Sequence, residues 1–336
     1  MGKKIFITGI AGFLGSHLAD RCLALGHEVV GCDNLIGGYL DNIPDEAEFY
    51  QYDCGFLNSM KKIMKGVDTV YHCAATAYEG LSVFSPHLIT QNTFQITSTV
   101  VTAAIGSGAR RFVYCSSMAR YGKQDRIPFT EDMTCKPQDP YGIAKLAGEA
   151  LLKNLSDTHG MEYVIAVPHN IIGSRQKYDD PYRNVASIMM NLMLQGRQPI
   201  IYGDGEQKRC FSFVQDDLQV LDKLIDAKNV LSEVINIGPD EEFVSINELA
   251  KIIADILHFR LDPVYVPDRP QEVKLATCSA QKARSLLGYR TTTSLRNGLE
   301  DMATWMQKRG PKKFRYTFDI EIVNAKTPRT WTERMF

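Results

Sequence analysis

Residues 4–8, KIFIT, form a compact apolar run that ends in a glycine-rich turn, Thr8-Gly9-Ile10-Ala11-Gly12-Phe13-Leu14-Gly15. That turn opens into a segment with helical periodicity over 13–25, where Leu14, Leu18, Cys22 and Leu25 fall on one face. Strand, glycine turn and helix in this order leave few options. The glycines let the backbone approach a pyrophosphate, and the helix N-terminus offers it unpaired N–H groups. The spacing is GxxGxxG, not the commoner GxGxxG. A second strand, 27–32, ends at Asp33, about 20 residues further on, where a carboxylate can hold adenosine ribose hydroxyls. It would repel a 2′-phosphate, so the pattern favours NAD over NADP.

The alternation continues. Strands are predicted at 48–52, 67–73, 111–115 and 163–167, and long helices at 86–107 and 140–159. Such βα repetition implies a parallel sheet covered on both faces, an α/β doubly wound architecture. After Val167 it becomes irregular. The loop 173–183 (GSRQKYDDPYR) is rich in breakers and charge, as binding loops often are, and 185–194 is apolar and Met-rich, suited to packing. The expected division is a nucleotide-binding unit over 1–167, with segments near 203–235 returning to it. A smaller mixed α/β lobe covers 168–202 and 236–309, and an extension covers 310–336. The extension carries Phe314, Tyr316, Phe318, Trp331 and Phe336, too many aromatics for a disordered tail, and should pack across its own subunit or a partner.

Composition removes several classes of function. Lys and Arg number 38 against 39 Asp and Glu, so no overall field draws nucleic acid or an anionic membrane. No apolar run approaches ~18 residues, and the N-terminus lacks the apolar stretch of a signal peptide. None of the eight cysteines forms a CxxC pair or a zinc-spaced cluster, which points to a reducing cytoplasm and no metal.

A second constellation lies between Cys115 and Lys145. CSSMARYG supplies Ser116 and Ser117, and DPYGIAK supplies Tyr141 and Lys145, four apart and so on one face of a helix. A nearby ammonium lowers the pKa of a phenol, and a phenol tuned that way can take and return a proton.

Together these segments resemble the extended short-chain dehydrogenase/reductase family, in its nucleotide-sugar epimerase/dehydratase branch. The resemblance spans roughly residues 3–308. It implies a Rossmann-type sheet with a smaller substrate-binding lobe and NAD held by Gly9, Gly12, Phe13, Leu14 and Gly15. Asp33 and Asn34 of DNL would bind the ribose, and Asp53 and Cys54 would lie beside the adenine. In HCAA, Ala74 and Ala75 would line the cofactor. Asn92 matches a family asparagine, although NTFQI places Gln95 where the family has glycine. Ser117, four residues before Tyr121, matches the catalytic serine of S-x-x-x-Y-G. Tyr141 and Lys145 match YxxxK, catalytic and cofactor-binding at once.

For the substrate, a nucleotide-diphosphate sugar with UDP the commonest carrier, the resemblance implies Ser117, Asn170 in HNIIG, Arg209 in YGDGEQKRCFSFVQD and Arg269 in VPDRPQE. NIG at 236–238 matches a strand of the smaller lobe, and LLGYR at 286–290 a motif that usually ends in proline. Arg175 and Arg183 could read a sugar carboxylate, but a solvated role is favoured. Homodimers form in the family through the two long helices.

The positions after Ser117 separate the family's reactions. Dehydratases carry an acidic pair there and 3,5-epimerases a cysteine; this chain has Met118 and Ala119, neither able to move a proton. The expected activity is 4-epimerisation by transient NAD-dependent oxidation at C4, through a 4-keto sugar. The alternatives are a 4-dehydrogenase or reductase, or a dehydratase or decarboxylase using Glu79 or His169.

Overall fold

The computed structural model describes residues 2–336. Strand β1 (Lys4–Thr8) leads into helix α1 (Phe13–Ala24), followed by β2 (Glu28–Cys32), β3 (Glu48–Tyr50), α2 (Leu57–Ile63) and β4 (Thr69–His72). A single turn, α3 (Glu79–Ser82), precedes α4 (Pro86–Thr90). That helix runs through a wider π turn at Gln91–Gln95 into α5 (Ile96–Gly106). Then come β5 (Arg111–Cys115), α6 (Pro140–His159) and β6 (Glu162–Pro168).

The remaining chain gives β7 (Ile171–Ile172), α7 (Val185–Leu194), β8 (Ile200–Tyr202), β9 (Lys208–Arg209), β10 (Ser212–Phe213), α8 (Val214–Leu221) and β11 (Val234–Ile237). It closes with β12 (Val244–Ser245), α9 (Ile246–Ile256), β13 (Val264–Val266), β14 (Leu275–Ala276), α10 (Gln281–Leu287), α11 (Leu295–Arg309) and α12 (Arg329–Thr332).

Seven strands form one parallel sheet in the order β11-β6-β5-β4-β1-β2-β3. Every residue of β4 and β5 is buried, as expected when both faces of a sheet are covered. Alternate residues serve opposite layers. Phe6, Val70 and Phe112 pack towards α2, α5 and α6, whereas Ile5, Ile7, Tyr71 and Val113 pack towards α1, α8 and α10. The Rossmann-type doubly wound sheet expected from the alternation is present. A third cluster joins α7, α9 and α11 through Met189, Met190, Leu249, Ile253, Leu299 and Met302, so the Met-rich run is largely packing. The α9 start is fixed by a capping box between Ser245 and Glu248.

Four local readings are corrected. Asn236 does not belong to a strand of the smaller lobe: Val234–Ile237 pairs in parallel with β6 as the seventh strand of the large sheet. Ala280, Ala283 and Leu287 also pack on that sheet's face. Leu25 lies past the end of α1 and is 48% exposed, because Gly26 (φ +80°) turns the chain away there. The helix predicted at 86–107 is interrupted by the π turn.

The extension packs on its own chain. Lys312 N–H donates to Asn191 Oδ1, Arg315 N–H to the Asp179 carbonyl and Ile322 N–H to the Phe84 carbonyl. The Glu321 carboxylate accepts from the N–H groups of His87 and Leu88 at the start of α4. Trp331, 4% exposed, packs with Tyr78, Leu81, Phe84 and Tyr141.

Candidate active site

The carboxyl ends of β1, β2 and β4 surround an open cleft, where the strand order reverses on either side of β1. Gly9, Gly12, Phe13, Leu14 and Gly15 form one wall; Asp33, Asn34, Asp53 and Cys54 close one end; Ala74, Ala75 and Asn92 face them. Gly9 has φ +73° and its N–H donates to the Cys32 carbonyl, tying the turn to the end of β2. A Cβ on Gly15 would lie 2.2 Å from the Gly9 carbonyl oxygen, so only glycine fits where helix meets turn. No side chain caps α1, which leaves its first N–H groups for an anion.

Asp33 accepts from Ala11 N–H (3.1 Å) and Leu35 N–H (2.7 Å). Burial raises its carboxyl above the usual range, against the lowering effect of those N–H groups. Asn34 donates to Asp53 (2.8 Å), whose other oxygen accepts from Gly55 N–H. Asn92 sits in the π turn, and its carbonyl accepts from Thr76 N–H. Gln95, the residue replacing the family glycine, is exposed.

Phe13, Leu14, Cys73, Ala75 and Arg183 line both this cleft and a second cavity of about 350 Å³. Ser117, Tyr141 and Lys145 line that second cavity. Ser117 follows β5 in extended geometry, with its Oγ accepting from Ala119 N–H (3.2 Å), and its hydroxyl lies near enough to Tyr141 to favour the phenolate. Asp139 caps α6 by accepting from Gly142 N–H (2.9 Å), which places Tyr141 in the first turn and Lys145 one turn later. Lys145 is 2% exposed and donates to the Cys115 carbonyl (2.8 Å). Burial lowers its pKa to about 8. Ser116 is also buried, but its hydroxyl is committed to Glu149 (2.5 Å).

The expected lowering of Tyr141 by Lys145 does not hold for the protein groups alone. Burial, then the Glu79 charge, push the phenol above its usual range, against the lowering effect of the nearby Ser117 hydroxyl and the charge of Arg183. The Lys145 ammonium lies 5.9 Å from the Tyr141 ring centre and points at a carbonyl instead.

Asn170, Arg209 and Arg269 share the cavity's far side. Asn170 (φ +45°) donates to the Cys210 carbonyl (2.8 Å). Among the described residues Arg209 donates to the carbonyls of Lys208, Val273 and Lys274, and no carboxylate lies within ion-pair distance of it. Arg269 pairs with Glu272 (3.1 Å) and lies over the Tyr202 ring (4.5 Å). A side pocket includes Met118, Ala119, Glu79 and Asp139. The two residues weighed as alternative proton carriers part company. Glu79 faces the cavity, whereas His169 is fully buried with Nε2 against the Pro239 carbonyl. The loop arginines separate too: Arg183 lines the cavity, and Arg175 pairs with Asp20 (2.6 Å). Sequence reasoning missed Tyr182, Trp331 and Phe336 as cavity walls. The aromatic density of the extension was the available signal.

A glycine-walled cleft at a sheet's switch point, open to a cavity floored by tyrosine and lysine, is the architecture of a dinucleotide-dependent enzyme with an adjoining substrate site. Residues 5–238 match the NAD dependent epimerase/dehydratase family, and the chain belongs to it. It is 34% identical over 307 residues to a putative UDP-glucose 4-epimerase of Methanocaldococcus jannaschii, covering 90% of this chain and 98% of that protein. It is 30% identical to a UDP-N-acetyl-alpha-D-glucosaminuronate decarboxylase of Bacillus cytotoxicus, covering 92% and 99%. The crystal structure of UDP-glucose 4-epimerase with UDP-glucose from Thermotoga maritima superposes with a TM-score of 0.86 at 29% identity, covering 91% and 99%.

The cleft suits NAD: a glycine turn, an uncapped helix start and a carboxylate at the end of β2. Gly15→Ala is therefore expected to cost about 1–3 kcal/mol of stability through overpacking. It should also weaken NAD binding at least about tenfold, since the backbone must move where a pyrophosphate would lie. Denaturant titration and fluorescence titration with NAD check both, and a variant matching the parent in both would remove Gly15 from this role.

Proposed function

We propose that the protein is a nucleotide-sugar 4-epimerase that acts on a UDP-linked sugar through a 4-keto intermediate. The observation that carries this is one continuous space. Ser117, Tyr141 and Lys145 line the cavity beside the cofactor cleft, and Met118 and Ala119, the two positions after Ser117, cannot themselves transfer a proton; the carboxylates of that side pocket, Glu79 and Asp139, come from other segments. Tyr141 removes the C4 hydroxyl proton and returns it. Ser117, which lines the same cavity as Tyr141, positions the reacting oxygen. Lys145 places a buried cationic group one turn along α6. When bound, NAD supplies reversible two-electron oxidation of the sugar carbon and a positive ring beside the phenol. Arg209, free of any carboxylate, and Arg269 hold the diphosphate, with Asn170 beside them. Holding the diphosphate while the keto sugar turns over lets the proton and electrons return to its opposite face.

Among the described residues, no helix is long and apolar enough to cross a membrane. All eight cysteines are free, which supports a cytoplasmic enzyme. We place its homodimer contact on α4–α5 and α6, where Ile143 is 54% exposed; light scattering checks the mass.

The deciding experiment incubates the purified protein with a panel of UDP-sugars and resolves the products by chromatography and proton NMR. The expected result is a mixture of C4 epimers with no net gain of NADH absorbance. A continuous NADH rise makes it a dehydrogenase, and carbon dioxide released from a UDP-uronic acid makes it a decarboxylase.

A further inference from the structure

Glu79 is a carboxylate that the assignments above leave unused. It begins α3 and lines both the main cavity, with Ser117, Tyr141 and Arg209, and the side pocket, with Met118 and Arg269. Its side chain is exposed to this space and makes no ion pair or side-chain hydrogen bond among the described residues. The two nearby arginines are engaged elsewhere, Arg209 with three carbonyls and Arg269 with Glu272.

The segment is held firmly. Tyr78 OH donates to Asp180, and Ser82 Oγ donates to Asp139 (3.3 Å). A Cβ on Gly80 would lie 3.3 Å from Arg269 Nη1 and 3.4 Å from the Trp331 indole, so the C-terminal extension backs the turn that presents Glu79. An exposed carboxylate with no protein partner among the described residues, at the wall of this cavity, is free to accept hydrogen bonds from a ligand.

We propose that Glu79 is a specificity residue whose carboxylate accepts hydrogen bonds from sugar hydroxyls and excludes sugars carrying a carboxylate at C6. The substrate class is then a UDP-linked hexose with an uncharged ring; this rests on the UDP-sugar reading above. The charges facing Glu79 can be followed one by one. From the start of α6 come Asp139 and Tyr141; from β9 comes Arg209; from the loop before β14 come Arg269 and Glu272; from the loop before α7 comes Arg183. A diphosphate occupies Arg209 and Arg269. Arg183 reaches the cofactor cleft, where a Cβ on Gly37 would lie 3.2 Å from its Nη1. The cations left in the main cavity are Lys145, which donates to the Cys115 carbonyl, and Arg183; a uronate placed beside Glu79 would meet it as a like charge.

Enclosure by protein, then the charge of Asp139, raise the Glu79 carboxyl to about 7, with Arg209 and Arg269 opposing. Its charge therefore appears as pH rises through about 7, and rejection of a uronate grows in the same direction. A difference of one pKa unit in interaction corresponds to about tenfold in binding.

The test measures binding and steady-state kinetics for UDP, UDP-glucose and UDP-glucuronate between about pH 6 and 9, for the full chain and for Glu79→Gln. UDP should bind both proteins alike. The parent should prefer UDP-glucose at least about tenfold, increasingly so above pH 7. Glu79→Gln should flatten that pH step, shrink the preference severalfold and raise KM for UDP-glucose more than it lowers kcat. An unchanged preference and pH step in the variant would overturn the proposal, as would a parent that favours UDP-glucuronate, which would give Arg183 the reading role. Solvent deuterium entering C3 or C5 of recovered sugar, and lost in Glu79→Gln, would overturn it by making Glu79 a proton-transfer group. Failure of UDP itself to bind would overturn the UDP-sugar reading and this one with it, a result distinct from a UDP complex that does not discriminate.

Discussion

Tyr141→Phe is expected to lower kcat by about 10²–10⁴-fold, the range lost with a general acid–base group, while the variant still folds and retains NAD. The substitution removes one hydroxyl and little volume. The ring continues to fill its place among Tyr78, Leu81, Phe84, Ile89 and Trp331. At most the proximity of this hydroxyl to Ser117 is lost, so the stability change should stay within about 1–1.5 kcal/mol. NAD released on denaturing the purified variant, its unfolding midpoint and its turnover are the three readouts. Activity within threefold of the parent would remove Tyr141 from the proposed role. The pH profile supplies a sign. Burial and the Glu79 charge raise the phenol, which makes the phenolate scarcer near neutrality and moves the rising limb of activity towards alkali. Positive charge brought in beside the ring moves it back. Glu79→Gln removes a negative neighbour and should shift the limb towards lower pH.

The first half of the fold was readable because its signals are local. A buried parallel strand appears as a continuous apolar run, and a glycine that cannot carry a Cβ appears as a glycine. Asp33 could be placed because it ends a strand that follows the glycine turn at short range; Ala74 and Asn92 were placed by the resemblance of HCAA and of the following segment to the family's motifs. What depended on partners distant in sequence was harder. Val234–Ile237 reads as a strand, but nothing in it says that β6 is its neighbour. The π turn at Gln91–Gln95 keeps apolar periodicity on both sides, so the chain reads as one helix.

Charged side chains divided in the same way. Arg175 and Arg183 stand in one loop, yet Asp20 on α1 claims the first, while the second faces both cavities. Lys145 was correctly placed one turn from Tyr141, but the carbonyl that accepts its hydrogen bond lies on β5. The extension was recognised as structured from its aromatics; that Trp331 would back the Glu79 turn follows only from tertiary packing.

The largest stability effect is expected at Glu149. It sits one turn beyond Lys145 on α6, is 1% exposed, and accepts from Ser116 Oγ (2.5 Å) and Arg120 Nη2 (2.8 Å). Arg120 in turn donates to Tyr121 OH (3.1 Å), which donates to Asn236 Oδ1 (2.7 Å) on the seventh strand. The network thus ties the turn carrying Ser117 to the helix carrying Tyr141 and Lys145. Glu149→Ala leaves a guanidinium buried without its counter-charge, and arginine cannot escape by losing a proton. A loss of about 3–5 kcal/mol is expected, read by denaturant titration. Replacing both partners by apolar residues of similar size, Glu149→Leu with Arg120→Met, should recover most of that stability, because a buried ion pair gains little over good packing. Turnover should not recover with it. Ser116 has lost its acceptor in the double variant, so Ser117 is no longer held against Tyr141, and kcat should remain at least about tenfold low, the scale of effect seen when a catalytic group is misplaced. If the double variant regains activity together with stability, the network supports the fold alone. If Glu149→Ala is as stable as the parent, the charge pair is not the link between β5 and α6.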